Sequence, residues 1–223
     1  QNGTQDVATA RLTPGAQGGR LGHALASMGD LDGDGLDDLL IGDPYDDTQG
    51  SLAGAAWLVT GPISGDVAVD TVGVALLGES ASAYAGWSVA SGGDVDSDGE
   101  IDLLVGAYRD GSVAPQAGAA YLVHGPVTAD TSLADADWVV QGSWQDRVGY
   151  ALAGNADLDG DGVADIVVGS DRSDPGGLSN AGTVAVFYGP VSGTAVLDDA
   201  DVLRTGASGS AYLGYALASG FIG

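Results

Sequence analysis

The chain has 223 residues, enough for one large all-β domain or two small ones, and 44% of them are apolar, so a core can be buried. Its 31 acids against six arginines and no lysine leave a net charge of −25, which sets it against nucleic acid and anionic membranes and favours a cation as ligand. There is no cysteine, hence no disulfide framework, and no run approaches the roughly 18 apolar residues of a membrane-spanning helix, so no membrane insertion is expected.

The chain opens at Gln1 without a signal-like segment, which predicts a processed chain or a portion of a longer one. Residues 7–12 read as a closing strand left over from a preceding unit. From there the sequence repeats. Gly22, Gly86, Gly149 and Gly214 stand in the similar contexts LGHALASMGD, AGWSVASGGD, VGYALAGNAD and LGYALASG, at spacings of 64, 63 and 65. Each of the first three is followed by an aspartate-rich loop, then by LLIGDP, LLVGAY or IVVGSD, then by GAAWLVTGP, GAAYLVHGP or GTVAVFYGP. A less regular apolar segment closes each unit, at 74–78, 138–142 and 202–206.

Each unit therefore predicts four short strands: 22–28, 38–41, 55–60 and the closing segment in the first copy, with equivalents in the others. The runs are rich in Val, Leu, Ile, Tyr and Trp and bounded by Gly, Pro and Asp. The second and third are almost continuously apolar, as expected where both faces are covered. Residues 132–137 and 197–201 predict single turns. Four strands per repeat points to an all-β protein of β-propeller blades, each of four antiparallel strands. The repeats fall near 21–84, 85–147 and 148–212, within one region spanning 1–223. Residues 1–20 and 213–223 supply partial blade strands, with a lone first strand at 212–219. A closed ring needs roughly 4–8 blades, so the chain is expected to lack the remainder of a larger propeller, to stack open sheets, or to associate as a homo-oligomer, its lone first and fourth strands completing each other between chains in a self-assembling ring or filament.

The loops read Asp30-Leu-Asp32-Gly-Asp34-Gly-Leu36-Asp-Asp38, Asp94-Val-Asp96-Ser-Asp98-Gly-Glu100-Ile-Asp102 and Asp157-Leu-Asp159-Gly-Asp161-Gly-Val163-Ala-Asp165. Carboxylates recur at positions one, three, five and nine. Calcium takes 6–8 oxygen ligands, and alternate residues of a tight loop can turn their oxygens to one point. Gly35, Gly99 and Gly162 at position six suit a sharp turn with positive φ. Position seven varies freely (Leu36, Glu100, Val163), as expected if it offers only its carbonyl, so Glu100 should point outward. Three Ca²⁺ sites follow as the expectation. An EF-hand is excluded, because position twelve is Ile41, Val105 or Val168 inside an apolar strand. Magnesium prefers stricter octahedral geometry, and zinc lacks its usual His and Cys ligands.

With these motifs in place the sequence resembles the FG-GAP repeats of integrin α-subunit propellers. Leu21-Gly22, Ala85-Gly86, Val148-Gly149 and Leu213-Gly214 match the FG element, and Gly42-Asp43-Pro44, Gly106-Ala107-Tyr108 and Gly169-Ser170-Asp171 the GAP element. The DxDxDGxxD loops lie between them. The resemblance implies a seven-bladed propeller with metal in hairpin loops on one face. It also implies an extracellular or cell-surface setting and a role in adhesion or ligand binding. A protein ligand is one expectation; the other is a carbohydrate-binding, lectin-like propeller, in which loop carboxylates and aromatics meet sugar hydroxyls.

Trp57, Tyr121 and Phe187 with Tyr188 fall at equivalent third-strand positions and read as core. Trp87, Tyr150 and Tyr215 follow the first-strand glycine and read as packing. Trp138 and Trp144 are irregular, and one is expected to be exposed. His23 and His124 make no triad with Ser and Asp. No enzyme is predicted, although Asp43, Asp46, Asp110, Asp171 and Asp174 would be the carboxylates available to one. Arg109, Arg147 and Arg172 are expected to pair with nearby carboxylates. The loops after the second strands, 43–50, 108–116 and 171–180, vary most and mark the candidate partner surface.

Overall fold

The fold was obtained as a computed structural model that describes residues 10–16 and 19–218. It is built almost entirely of short strands. β1 (Ala10–Thr13) leads into the first blade, β2 (Ala24–Gly29), β3 (Asp38–Asp43), β4 (Ala55–Val59) and, after β5 (Gly65–Ala68), β6 (Gly73–Leu77). The second blade comprises β7 (Ser88–Gly93), β8 (Asp102–Ala107), β9 (Ala119–Val123) and, after β10 (Thr131–Ser132), β11 (Trp138–Gln141). The third comprises β12 (Val148–Ala156), β13 (Asp165–Ser170), β14 (Thr183–Phe187) and, after β15 (Gly193–Val196), β16 (Val202–Thr205). Within each blade neighbouring strands pair antiparallel in chain order. The described residues thus form three blades of a partial propeller and no closed ring.

One layer of pairing goes beyond the four-strand pattern. β5, β10 and β15, each in the connection from a third strand to a fourth, cross to the preceding unit. There they pair in parallel with β1, β6 and β11. β1 thus holds the place towards β5 that β6 holds towards β10, in keeping with a closing strand over 7–12; residues 7–9 lie outside the described residues. The lone first strand at 212–219 differs from expectation. Residues 212–218 contain only an isolated bridge, Gly182 to Leu213, and Ser219 lies outside the described residues. The physical reason is pairing: β2, β7 and β12 each lean on the second strand of their own unit, and no second strand lies after Leu213 among the described residues. The two expected turns are short 3-10 turns at Leu133–Asp135 and Leu197–Asp199, joined by two more at Val69–Thr71 and Pro175–Gly177.

The apolar runs are explained by what lies on either side. One core joins Met28, Leu40 and Leu58 of the first blade to Leu103, Val105 and Tyr121 of the second. A second joins Leu104, Leu122 and Trp138 to Leu152, Ile166 and Phe187 of the third. Alternate side chains of β8 and β9 therefore serve opposite cores, and every residue of both strands is buried. Trp57, Tyr121 and Phe187 are core residues, as their register implies. Trp138 is 2% exposed and Trp144 62%, which settles which irregular tryptophan faces solvent. Trp87, Tyr150 and Tyr215 form a belt across successive blades, with ring centroids 5.7 and 5.1 Å apart.

The repeated glycines sit where the blades touch. Gly86, Gly149 and Gly214, at φ of 79°, 77° and 86°, lay their carbonyls against Gly42, Gly106 and Gly169 of the preceding unit, and a Cβ on any of the latter would strike them. The two halves of the repeat motif are thus the two sides of one backbone contact.

Candidate metal centres

The aspartate loops join the first strand of each blade to the second, all at the same end of the strands. Each follows a register shift in the hairpin, at 27/29, 91/93 and 153/156. Such bulges re-aim the chain where pairing stops. The carboxylates at positions one, three and nine converge: Asp30, Asp32 and Asp38, then Asp94, Asp96 and Asp102, then Asp157, Asp159 and Asp165. Each trio brings one oxygen per residue within 4.8 Å of the others.

The three positions do different work. The ninth is buried and uses both oxygens. Asp38 accepts from the Leu31 amide at 2.8 Å and the Gly61 amide at 2.9 Å. Asp102 does the same with Val95 and Gly125, and Asp165 with Leu158 and Gly189. It ties the start of the loop to the turn after the third strand. The first position holds the loop closed: Asp30 accepts from Gly33 and Asp34 through Oδ1 and from Gly35 through Oδ2. Asp157 repeats the pattern. In the middle loop Asp94 Oδ2 takes the Gly99 amide, while Oδ1 is buried with no partner. A buried carboxylate oxygen without a donor is costly, and a cation among the trio would satisfy it. The third-position carboxylates accept from the amide two residues on.

The fifth-position residues Asp34, Asp98 and Asp161 stand outside these trios; their Oδ1 atoms accept from Leu36, Glu100 and Val163, at 2.8 Å each. Leu36 and Glu100 are exposed at position seven, and Glu100 turns to solvent. Gly35, Gly99 and Gly162 have φ of 87°, 94° and 94°, as the sharp turn requires. Position four is also left-handed, and there the second loop carries Ser97 at φ 65° where the others have Gly33 and Gly160. Ser97→Gly is therefore expected to stabilise the protein by about 0.5–1 kcal/mol, read as a higher urea midpoint at unchanged slope.

Crowding shows in the carboxyls. Asp159 is pushed above the ordinary range by desolvation first, then, against the Asp161 amide, by the charges of Asp161, Asp165 and Asp157. Burial raises Asp102, opposed by the Val95 and Gly125 amides and by His124. An oxygen-only donor set of crowded carboxylates suits a hard divalent cation.

His124 is the neighbour that sequence reasoning passed over. Its Nδ1 lies 3.3 Å from Asp96 Oδ2 and 3.8 Å from Asp137 Oδ1. The signal was its place just after β9, where pairing of Leu103 with Val123 sets it beside the middle loop. The carboxylates outside the loops serve turns. Asp43 accepts from the Arg20 amide at 2.6 Å, Asp46 from Thr48 at 2.8 Å and Asp110 from Ser112 at 2.9 Å. Of the three loop arginines, Arg147 pairs with Asp171 at 3.4 Å, while Arg109 and Arg172 have no such pair among the described residues.

The sequence matches the FG-GAP repeat family over residues 22–59, 85–123 and 148–187, so each match runs from the repeated glycine through the loop to the third strand. Similar proteins include integrin alpha-5 of Xenopus laevis, 36% identical over 65% of this chain and 14% of its own length. Integrin alpha-PS2 of Drosophila melanogaster is 33% identical over 69% of the chain and 12% of its own length. Integrin alpha-3 of Cricetulus griseus is 31% identical over 74% and 15%. The chain thus spans only about a seventh of such relatives. No helix among the described residues is long and apolar enough to cross a membrane.

Proposed function

The chain belongs to the FG-GAP repeat family, and on that premise we propose that it is an extracellular propeller module for adhesion, recognition or surface structure, with calcium at its three aspartate loops stabilising the blades. The observation that carries this reading is the recurrence of the same carboxylate trio at the same place in three successive blades. Millimolar calcium outside cells would fill even weak sites. Residues at positions one, three and nine would hold the ion first, and those at five and seven would complete the shell. Calorimetric titration of the calcium-stripped chain is expected to show three sites per chain. Absence of binding at millimolar calcium would overturn the proposal.

A second reading, a lectin-like module, is favoured by one observation. Trp144 stands exposed on a cavity of about 530 Å³, with Asp146, Asp174, Asp198, Thr183 and Thr205 also in its wall. The other repeats carry only Ala81 or Gly209 in place of Trp144, and Ala83 or Ala211 in place of Asp146. An open indole beside carboxylate acceptors suits a neutral sugar. On a glycan array with calcium, Trp144→Ala is expected to lose about tenfold or more in any binding the parent shows; a parent that binds no glycan removes this reading.

A further inference from the structure

At the ends of the second strands, away from the aspartate loops, three of the six arginines converge. Arg109 and Arg172 occupy the position held by Tyr45 in the first unit, one residue beyond Tyr108 and Asp171. Arg147 occupies the position held by Tyr84 and Tyr212. All three of these residues have left-handed backbones, φ 64° for Arg147 against 58° and 51°, and each amide donates to the carbonyl of Gln116, Leu52 or Asn180 of its own register. The scaffold is the repeated one, and the first unit carries its own arginine, Arg20, two residues before Gly22; what is particular to this place is that Arg109, Arg147 and Arg172 meet at one cavity. Together with Tyr108 and Gln116 they line a cavity of about 240 Å³. It shares Arg109 and Gln116 with an adjoining recess of about 310 Å³ whose walls include Ser80, Ser82 and Ser112.

Two features make this an anion site rather than an arginine-rich surface. In a chain with 31 acids, Arg109 and Arg172 have no carboxylate oxygen within 4.0 Å among the described residues, and Arg147 has only Asp171. Asp110 lies close by, yet its oxygens are taken by Ser112 and by the Ser80 hydroxyl. Asp171 offsets part of the mutual repulsion of the three guanidinium groups, at Arg147 and by its charge at Arg172, and Arg109 is left with no carboxylate partner among the described residues. The second feature is rigidity. Arg109 lies over the ring of Tyr84 at 5.3 Å, and Arg147 over Tyr108 and Tyr150 at 4.6 and 4.3 Å. Stacking fixes a guanidinium plane and leaves its N–H edge for a carboxylate.

We propose that this cavity receives one aspartate or glutamate side chain of a protein partner. A polyanion is disfavoured, because a net charge of −25 repels every further negative group that is not beside the arginines. A sugar acid is disfavoured, because the tyrosine faces it would stack on are already covered by Arg109 and Arg147. The site extends the recognition role proposed above to a particular ligand chemistry. It lies at the opposite end of the strands from the calcium loops, so either can fail without the other.

The test uses the six arginines as reporters. In the calcium-saturated chain labelled with ¹⁵N-arginine, the peptide Ac-Ala-Asp-Ala-NH₂ is expected to shift the Nε–H resonances of Arg109, Arg147 and Arg172 along one saturating curve. Half-saturation should be on the order of millimolar, as befits a single side chain. Arg11, Arg20 and Arg204 should stay in place, as should all six with Ac-Ala-Asn-Ala-NH₂. The double variant Arg109→Gln, Arg172→Gln should bind about tenfold more weakly or not at all; should it fail to fold, Arg172→Gln alone carries the comparison. Resonances that stay still, or six that drift together, would overturn the proposal. An equal response to methyl glucuronate would overturn its assignment to a protein carboxylate.

Discussion

Excess EDTA is expected to lower the unfolding temperature of this chain by about 8–16 °C relative to millimolar calcium. At a dissociation constant on the order of 0.1 mM, millimolar calcium contributes about 1.4 kcal/mol per site. Three sites then give about 4 kcal/mol, and each kcal/mol moves the midpoint of a chain this size by about 2–4 °C. The effect should be larger where the apo loop is under most strain, because removing the cation leaves the carboxylates around Asp159 to repel one another and Asp94 Oδ1 without a donor. Two substitutions separate the metal from the scaffold. Asp98→Asn keeps an oxygen for the Glu100 amide, so it should cost less than about 0.5 kcal/mol in EDTA while weakening calcium binding. Asp102→Asn turns an amide donor towards either Val95 or Gly125, whose N–H groups both need an acceptor. It should cost about 1–3 kcal/mol even in EDTA. Melting and protease resistance that ignore EDTA would sink the structural-calcium reading.

That asymmetry within the loops was invisible in the sequence, where four aspartates look alike. Their recurrence at fixed positions was legible because both the loop period and the strand period are short and local. The burial of Asp38, Asp102 and Asp165 was not, since it depends on the turns after β4, β9 and β14, more than twenty residues away. Strands β3, β4, β8 and β9 could be read for the same local reason: they are apolar runs between glycines, buried along almost their whole length. The parallel pairs could not. β10 is the two residues Thr131 and Ser132, and β15 reads GTAV with little burial; their partners belong to another unit. The arginines failed differently. Proximity in sequence to Asp110 or Asp171 suggested pairing, but Asp110 is spent on Ser80 and Ser112, and only Arg147 reaches Asp171.

The glycine contact between blades carries the largest expected single-residue effect. Gly149 sits at φ 77°, and an added Cβ would strike the Ala119 carbonyl and lie 3.2 Å from the Gly106 Cα. None of these is a flexible side-chain end. They are backbone atoms of β8 and β9, held in the sheet, with the Gly149 carbonyl also accepting from Ser88 Oγ at 2.8 Å. Relief would have to come from moving one blade off the next, which opens the core that joins Leu104 and Leu122 to Ile166 and Phe187. Gly149→Ala is therefore expected to cost about 4 kcal/mol or more, or to prevent folding altogether. Gly193 is the control: φ is the same 77°, but nothing lies within 4 Å of its Cβ position. Gly193→Ala should cost only the left-handed penalty, about 1–2 kcal/mol. Urea unfolding of the two variants in calcium measures the difference. If they unfold within about 1 kcal/mol of each other, the left-handed backbone alone accounts for the glycine, and blade contact is not what the repeat preserves there. If Gly149→Ala is far worse, the spacing of the repeated glycines is the spacing at which one blade can lie against another.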